Sequence, residues 1–160
     1  MLKLGGVAPA ELMRHGLIAL AVLGILAAAF ELATERHWTG LEQRIPWLAL
    51  AVLAVASALV LIRRKRGVTV ARVLALLVLA ASLYGVIDHV LVNYNAGALD
   101  QRYATTWDTL PRVQRWWYAT TKTVGPAPTL APGVLGQSAL LLLLATLKGP
   151  RRRAEACLDR

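Results

Sequence analysis

Four apolar stretches dominate this chain, at about residues 14–34, 46–62, 69–93 and 129–147. Each approaches the roughly 20 apolar residues that cross the hydrocarbon core of a bilayer. In lipid every backbone N–H and C=O must be satisfied within its own segment, so such runs fold as helices. The expected fold class is therefore all-α: a four-span transmembrane helix bundle, a single integral membrane domain over residues 1–160. With 57% hydrophobic residues and a mean hydropathy of +0.53, the chain is too apolar for an ordinary soluble domain of its size. Pro46 and Pro132 suit the first turns of the second and fourth spans, where a missing N–H costs nothing.

Orientation follows from Lys and Arg, which concentrate in cytoplasmic loops. With four alternating spans, Lys3, Arg14, Arg63, Arg64, Lys65, Arg66, Arg72, Lys148, Arg151, Arg152, Arg153 and Arg160 share one side. The other side carries only Arg36, Arg44, Arg102, Arg112, Arg115 and Lys122, together with six of the nine acidic residues. The net charge of +9 thus falls entirely on the first side, which is expected to be cytoplasmic and to hold both termini. Basic residues spread over membrane-flanking loops attract anionic lipid. The implied partners are the lipid bilayer, anionic lipid at its cytoplasmic face and other membrane subunits, and nothing calls for nucleic acid. All five Trp, with Tyr94, Tyr103 and Tyr118, fall in or beside the two outer loops, as an interfacial aromatic belt would. Arg-rich, Lys-poor usage fits a bacterium of high genomic GC content, so the expected location is the bacterial plasma (inner) membrane.

Two terminal features are read as non-signals. Lys3 and Arg14 ahead of an apolar stretch ending near Ala29 have the form of a secretory signal. The length of the run, with Glu31 and Glu35 at helical spacing beyond it, points to a retained first span. Cys157-Leu-Asp-Arg160 has the spacing of a prenylation box, but Asp159 and Arg160 are unsuited to its last positions. As the one cysteine, Cys157 also excludes an internal disulfide.

The second outer loop, residues 94–128, is too long for a passive helix connection. Within it, Pro111–Lys122 predicts a short amphipathic helix lying in the interface plane and covering the bundle's outer end. Val113, Trp116, Trp117 and Thr120 fall on one side of it, and Arg112, Arg115 and Lys122 toward the other. Residues 125–133, Gly-Pro-Ala-Pro-Thr-Leu-Ala-Pro-Gly, predict a stiff extended return to the fourth span.

Membrane helices associate through small residues that let backbones approach. The expected seams are Gly24, Ala27, Ala28 and Glu31 in the first span, and Ala54, Ser57 and Ala58 in the second. In the third they are Ala81, Gly85, His89 and Asn93 beside Ser82, and in the fourth Gly133 and Gln137 beside Ser138. Three of the four seams thus carry a polar group in their outer half. Ionisable groups within spans are costly and mark function or an interior packing role. The expectation is an outward-facing polar pocket with Glu31, His37 and His89 as metal ligands and Glu35, Asp88, Asn93 and Gln137 as a supporting polar cluster. A purely structural role, with His89 bonded to a neighbouring carboxylate or carbonyl, stands beside it.

Carboxylate and imidazole donors fit a divalent transition metal, although no H-E-x-x-H or paired-cysteine motif is present. Haem is disfavoured. His15 lies about 33 Å from His37 along a continuous helix, leaving only His37 and His89 as a pair of axial ligands. No serine or cysteine stands in a nucleophile motif, and no catalytic residue is assigned.

Glu31 with His37, Ile45-Pro46-Trp47, Gly85-x3-His89-x3-Asn93 and Pro128-x-Leu130-Ala131-Pro132-Gly133 together resemble a family of small, uncharacterised four-helix bacterial inner-membrane proteins. The resemblance implies the same outer placement of polar residues and no activity. The sequence reading is of a non-enzymatic binding or accessory protein. Its rivals are an assembly subunit of a larger membrane complex and a membrane enzyme acting on a lipid or quinone at the outer leaflet.

Overall fold

The computed structural model describes residues 9–147. Lys3, Lys148, Arg151, Arg152, Arg153, Glu155, Cys157, Asp159 and Arg160, which entered the charge count and the prenylation spacing, lie outside the described residues. Within them the chain is helical and has no strand: α1 (Pro9–Thr34), α2 (Leu41–Ile62), α3 (Lys65–Ala96), α4 (Arg112–Thr120) and α5 (Ala131–Ala145). Short 3-10 turns at Gly97–Leu99 and Trp107–Thr109 interrupt the segment before α4.

α1, α2 and α3 are long and apolar enough to cross a membrane. Their large side chains face outward, with Leu23 61%, Phe30 71%, Leu48 67% and Leu83 62% exposed. Contiguous apolar surface of this extent marks contact with a membrane or partner, which suggests a membrane protein. The fourth apolar run forms a helix of only 15 residues. That is about 22 Å at 1.5 Å per residue, short of a ~30 Å hydrocarbon core.

The four helices alternate in direction. The start of α1, the end of α2, the start of α3 and the end of α5 gather at one end, here called the basic end. α5 packs against each of α1, α2 and α3. Its inward positions, Leu135, Gly136, Ser138, Ala139, Leu142 and Ala145, recur at helical spacing and meet Ile18, Ala21, Ile25 and Ala28 of α1. α2 adds Leu53, Ala56 and Val60, and α3 adds Ala71, Ala75 and Val78.

Small residues set the contacts, though not always those expected. Gly24 of α1 abuts the Ser138 hydroxyl, and a Cβ on Gly136 would lie 2.6 Å from Ser82 Oγ. A Cβ on Gly85 would stand 3.0 Å from Pro132, whose carbonyl accepts the Ser82 hydroxyl at 2.6 Å. In α5 the seam is Gly136 and Ser138: Gly133 has open space around it and Gln137 is exposed. In α2 the inward face is Leu53, Ala56, Ser57 and Val60, while Ala54 and Ala58 point out. The buried stripe there follows the large residues Leu50, Leu53 and Val60, which small-residue counting overlooks. Ala27 likewise faces outward.

The ends of α1 and α2 fall at the expected residues 34 and 62, and the other helix boundaries move. α2 begins at Leu41, so Pro46 sits inside the helix rather than in its first turn. The added turn starts where the Gln43 side-chain oxygen accepts both the Thr39 N–H (2.9 Å) and the Thr39 hydroxyl (2.7 Å). α2 and α3 are joined by Arg63 and Arg64 alone, Arg63 adopting φ 62°. Lys65 and Arg66 therefore open α3 instead of lying in a loop.

Candidate functional site

The opposite, cap end is built on α3. At 32 residues α3 extends about 48 Å, and α5 begins only at the level of Gly85. The last turns of α3 thus rise past α5 as a post, and the segment that follows folds onto it. Asn93 is fully buried on this post. Its Nδ2 donates to the carbonyls of Ala119 (3.2 Å) and Ala127 (2.8 Å), and its Oδ1 accepts the Ala127 N–H at 2.8 Å. One amide thereby holds both α4 and the return segment. Gly125, at φ 80°, lies against it: a Cβ there would fall 2.5 Å from Asn93 Cα. Tyr94 stacks on Trp116 at 4.4 Å and meets the edge of Trp107 at 5.7 Å.

Trp107 is 3% exposed and packs on Gly97, so it belongs to the interior of the cap and not to an aromatic belt. The orientation of α4 also departs from expectation. Ala119 is buried, and Arg115 turns inward to within 5.9 Å of the Tyr94 ring, while Val113 and Trp117 face out. Apolar residues outnumber the inward positions that a nine-residue helix resting on one partner helix provides. Farther out, Arg102 donates two hydrogen bonds to the Asp100 carboxylate (3.0 and 2.8 Å) and one to the Thr123 carbonyl (2.6 Å). The hydrogen bonds from Arg102 hold the Asp100 carboxyl below its ordinary range. The return at residues 121–130 is a succession of turns, not an extended strand.

Beside the post lies a cleft of about 80 Å³, lined by Glu31, Leu32, Glu35, His37, Pro46, His89, Pro128 and Pro132, among others. Four of the seven residues singled out from sequence are therefore brought together: Glu31, Glu35, His37 and His89. Asp88, Asn93 and Gln137 are not on its wall. Asn93 secures the cap and Gln137 faces outward. α4 docks on α3 and is not among the lining of the cleft; Pro128 of the return and Ala131 and Pro132 at the start of α5 are.

His37 reaches the cleft through the way α1 ends. The Arg36 N–H bonds the Ala33 carbonyl and the His37 N–H bonds the Leu32 carbonyl, with Arg36 left-handed at φ 50°. This paired arrangement closes a helix and folds the chain back over its last turn. The Trp47 indole then donates to the His37 carbonyl at 2.8 Å, fixing that turn to α2.

His89 is held differently. Its Nδ1 lies 2.9 Å from the Pro128 carbonyl, which can only accept, so Nδ1 carries the proton. In the neutral ring Nε2 then keeps its lone pair, the form in which imidazole binds metals or accepts a proton. Pro128 as partner was not legible in the sequence. The usable signal is that residues 125–133 contain three prolines, which supply carbonyls without N–H groups and leave acceptors over.

Among the described residues no three His, Cys, Asp or Glu side chains are grouped so as to hold an ion. His15 bonds the Glu11 carbonyl at the basic end, remote from the cleft.

The fold and cleft define a helical protein, compatible with a membrane, that gathers two carboxylates and two imidazoles at one end of its helices. No family model, no curated protein and no solved structure matches this chain.

Proposed function

We propose that the chain is a multi-pass protein of the bacterial inner membrane with both termini cytoplasmic. It serves as a non-enzymatic, outward-facing binding or accessory protein that takes a divalent transition metal at Glu31, His37 and His89. The carrying observation is that these three residues, from the end of α1, the turn beyond it and α3, line one cleft while the Pro128 carbonyl leaves His89 Nε2 as an acceptor. Glu31 is exposed, so its side chain is free to change rotamer on binding.

In this reading α5 and its flanking turns make the fourth crossing, the bilayer adapting to a short span at modest cost. α4 lies in the outer interface with Val113 and Trp117, 81% and 64% exposed, turned toward lipid. Size argues against the enzyme alternative: pockets for organic ligands run to about 300–1,000 Å³, and this cleft has room for an ion and one or two waters.

The rival reading, an assembly subunit of a larger membrane complex, draws on the absence of a ready three-residue metal cluster among the described residues. Elemental analysis and an absorption spectrum of detergent-purified protein, beside an E31A/H37A/H89A variant, separate the two. Near-stoichiometric metal in the parent that is lost in a monodisperse variant supports the metal site. Metal-free protein that takes up neither Zn²⁺ nor Mn²⁺ on dialysis overturns it and favours the assembly subunit.

A further inference from the structure

Among the described residues, three of the five arginines at the basic end are committed to the fold. Arg14 donates to the Val60 carbonyl, and Arg63 pairs with Glu11 at 2.9 Å. Arg72 donates to the side chain and carbonyl of Thr146 at 2.9 and 2.7 Å, closing the end of α5. Arg64 and Arg66 differ. Both are exposed, and among the described residues neither is in a salt bridge.

These two arginines line a groove of about 490 Å³ whose remaining walls are Leu59, Ile62 and Gly67. Gly67 keeps it open. A Cβ there would stand 3.6 Å from the Leu59 side chain, in ordinary contact, so larger residues fit only by filling the groove. The groove thus has two kinds of lining: two arginines, Arg64 and Arg66, and an apolar wall of Leu59 and Ile62 from α2. Guanidinium recognises phosphate through paired, charge-assisted hydrogen bonds, and the apolar wall matches an acyl chain.

We propose that this groove at the α2–α3 turn is a binding site for one anionic glycerophospholipid of the cytoplasmic leaflet. Arg64 and Arg66 hold its phosphate, and Leu59 and Ile62 take its first acyl methylenes. The site rests on the topology proposed above and deepens it, turning a diffuse basic surface into a defined lipid position.

Native mass spectrometry of the full-length protein in non-ionic detergent, titrated with phosphatidylglycerol or phosphatidylcholine, tests it. The parent retains phosphatidylglycerol preferentially. R64Q/R66Q weakens that retention by about 10- to 30-fold, as expected for two basic residues at a membrane surface. G67L, which keeps every charge but fills the groove, weakens it comparably. An R112Q/K122Q control, with equal charge loss at the cap end, retains phosphatidylglycerol as the parent does. Equal retention of both lipids by the parent, or retention unchanged in G67L, overturns the site in favour of diffuse attraction. Failure of the parent to insert into vesicles of either lipid is a separate result, and contradicts the membrane reading itself.

Discussion

α3 is joined to its neighbours in opposite ways at its two ends. At the basic end two residues, Arg63 and Arg64, connect it to α2, and the contacts around them are exposed arginine interactions. At the cap end residues 97–130 separate it from α5 and are held by buried groups: Asn93, Trp107, Ala119 and Val124. Exposed ion pairs contribute little because water solvates both partners nearly as well apart. A buried amide whose every hydrogen bond is satisfied is costly to disturb, since what remains after its removal is unpaired in a dry site. The basic end is therefore suited to meeting charge from outside the chain, and the cap end to holding a fixed geometry around the cleft.

The sharpest way to break this contrast is Asn93→Leu. It keeps the number of side-chain heavy atoms but leaves the carbonyl and N–H of Ala127 without partners, and takes one donor from the Ala119 carbonyl. A loss of roughly 3–4 kcal/mol is expected, read by thermal unfolding in detergent. A change below about 1 kcal/mol would mean the cap does not hang on this residue. Gly125→Ala forces a methyl toward Asn93 at a left-handed φ and should cost roughly 2–3 kcal/mol in the same assay. Ser82→Ala removes one hydrogen bond to Pro132, and a loss of about 0.6–1 kcal/mol is typical for such bonds between membrane helices.

At the other extreme, Arg63→Ala breaks the exposed pair with Glu11 and should leave the unfolding temperature within error. A drop as large as that of Ser82→Ala would erase the distinction between the ends.

Acid gives a finer test within the cap. The Asp100 carboxyl is held below its ordinary range by Arg102. Its contribution is therefore complete above the pH range in which an unfolded Asp titrates, and is lost as pH falls through the lower native value. The side-chain carboxyl ¹³C shift of Asp100 should titrate below the ordinary aspartate range, and should return to it in an Arg102→Gln variant. A native titration already in that range would show that the clamp does not form.

The three long helices were legible in the sequence because unbroken apolar runs have few other solutions. Alternation of the basic residues likewise anticipated which ends gather together. The starts of α2 and α3 were not legible, because the Thr39–Gln43 hydrogen bonds precede an added turn of α2, and the left-handed Arg63 shortens the connection so that α3 opens at Lys65. The convergence of Glu31, His37 and His89 on one cleft followed from depth along the helices and the reversal after Thr34. Asn93 was identified as polar and inward, but its role was not. Nothing in a sequence pairs an asparagine with carbonyls 26 and 34 residues away. Gln137 failed for a simpler reason: three residues separate it from Gly133, but the face α5 turns inward is set by Gly136, Ser138 and Ala139.

The central claim is that the cleft lies outside and the basic end inside, with α5 crossing back. Alkaline phosphatase, active only outside the cytoplasm, can be fused after Arg66, after Thr123 and after Arg160. The account predicts activity only for the Thr123 fusion. Activity after Arg66 would reverse the sidedness and place the cleft in the cytoplasm. Activity after Arg160 would leave α5 on the outer side, as the cover of a three-span protein.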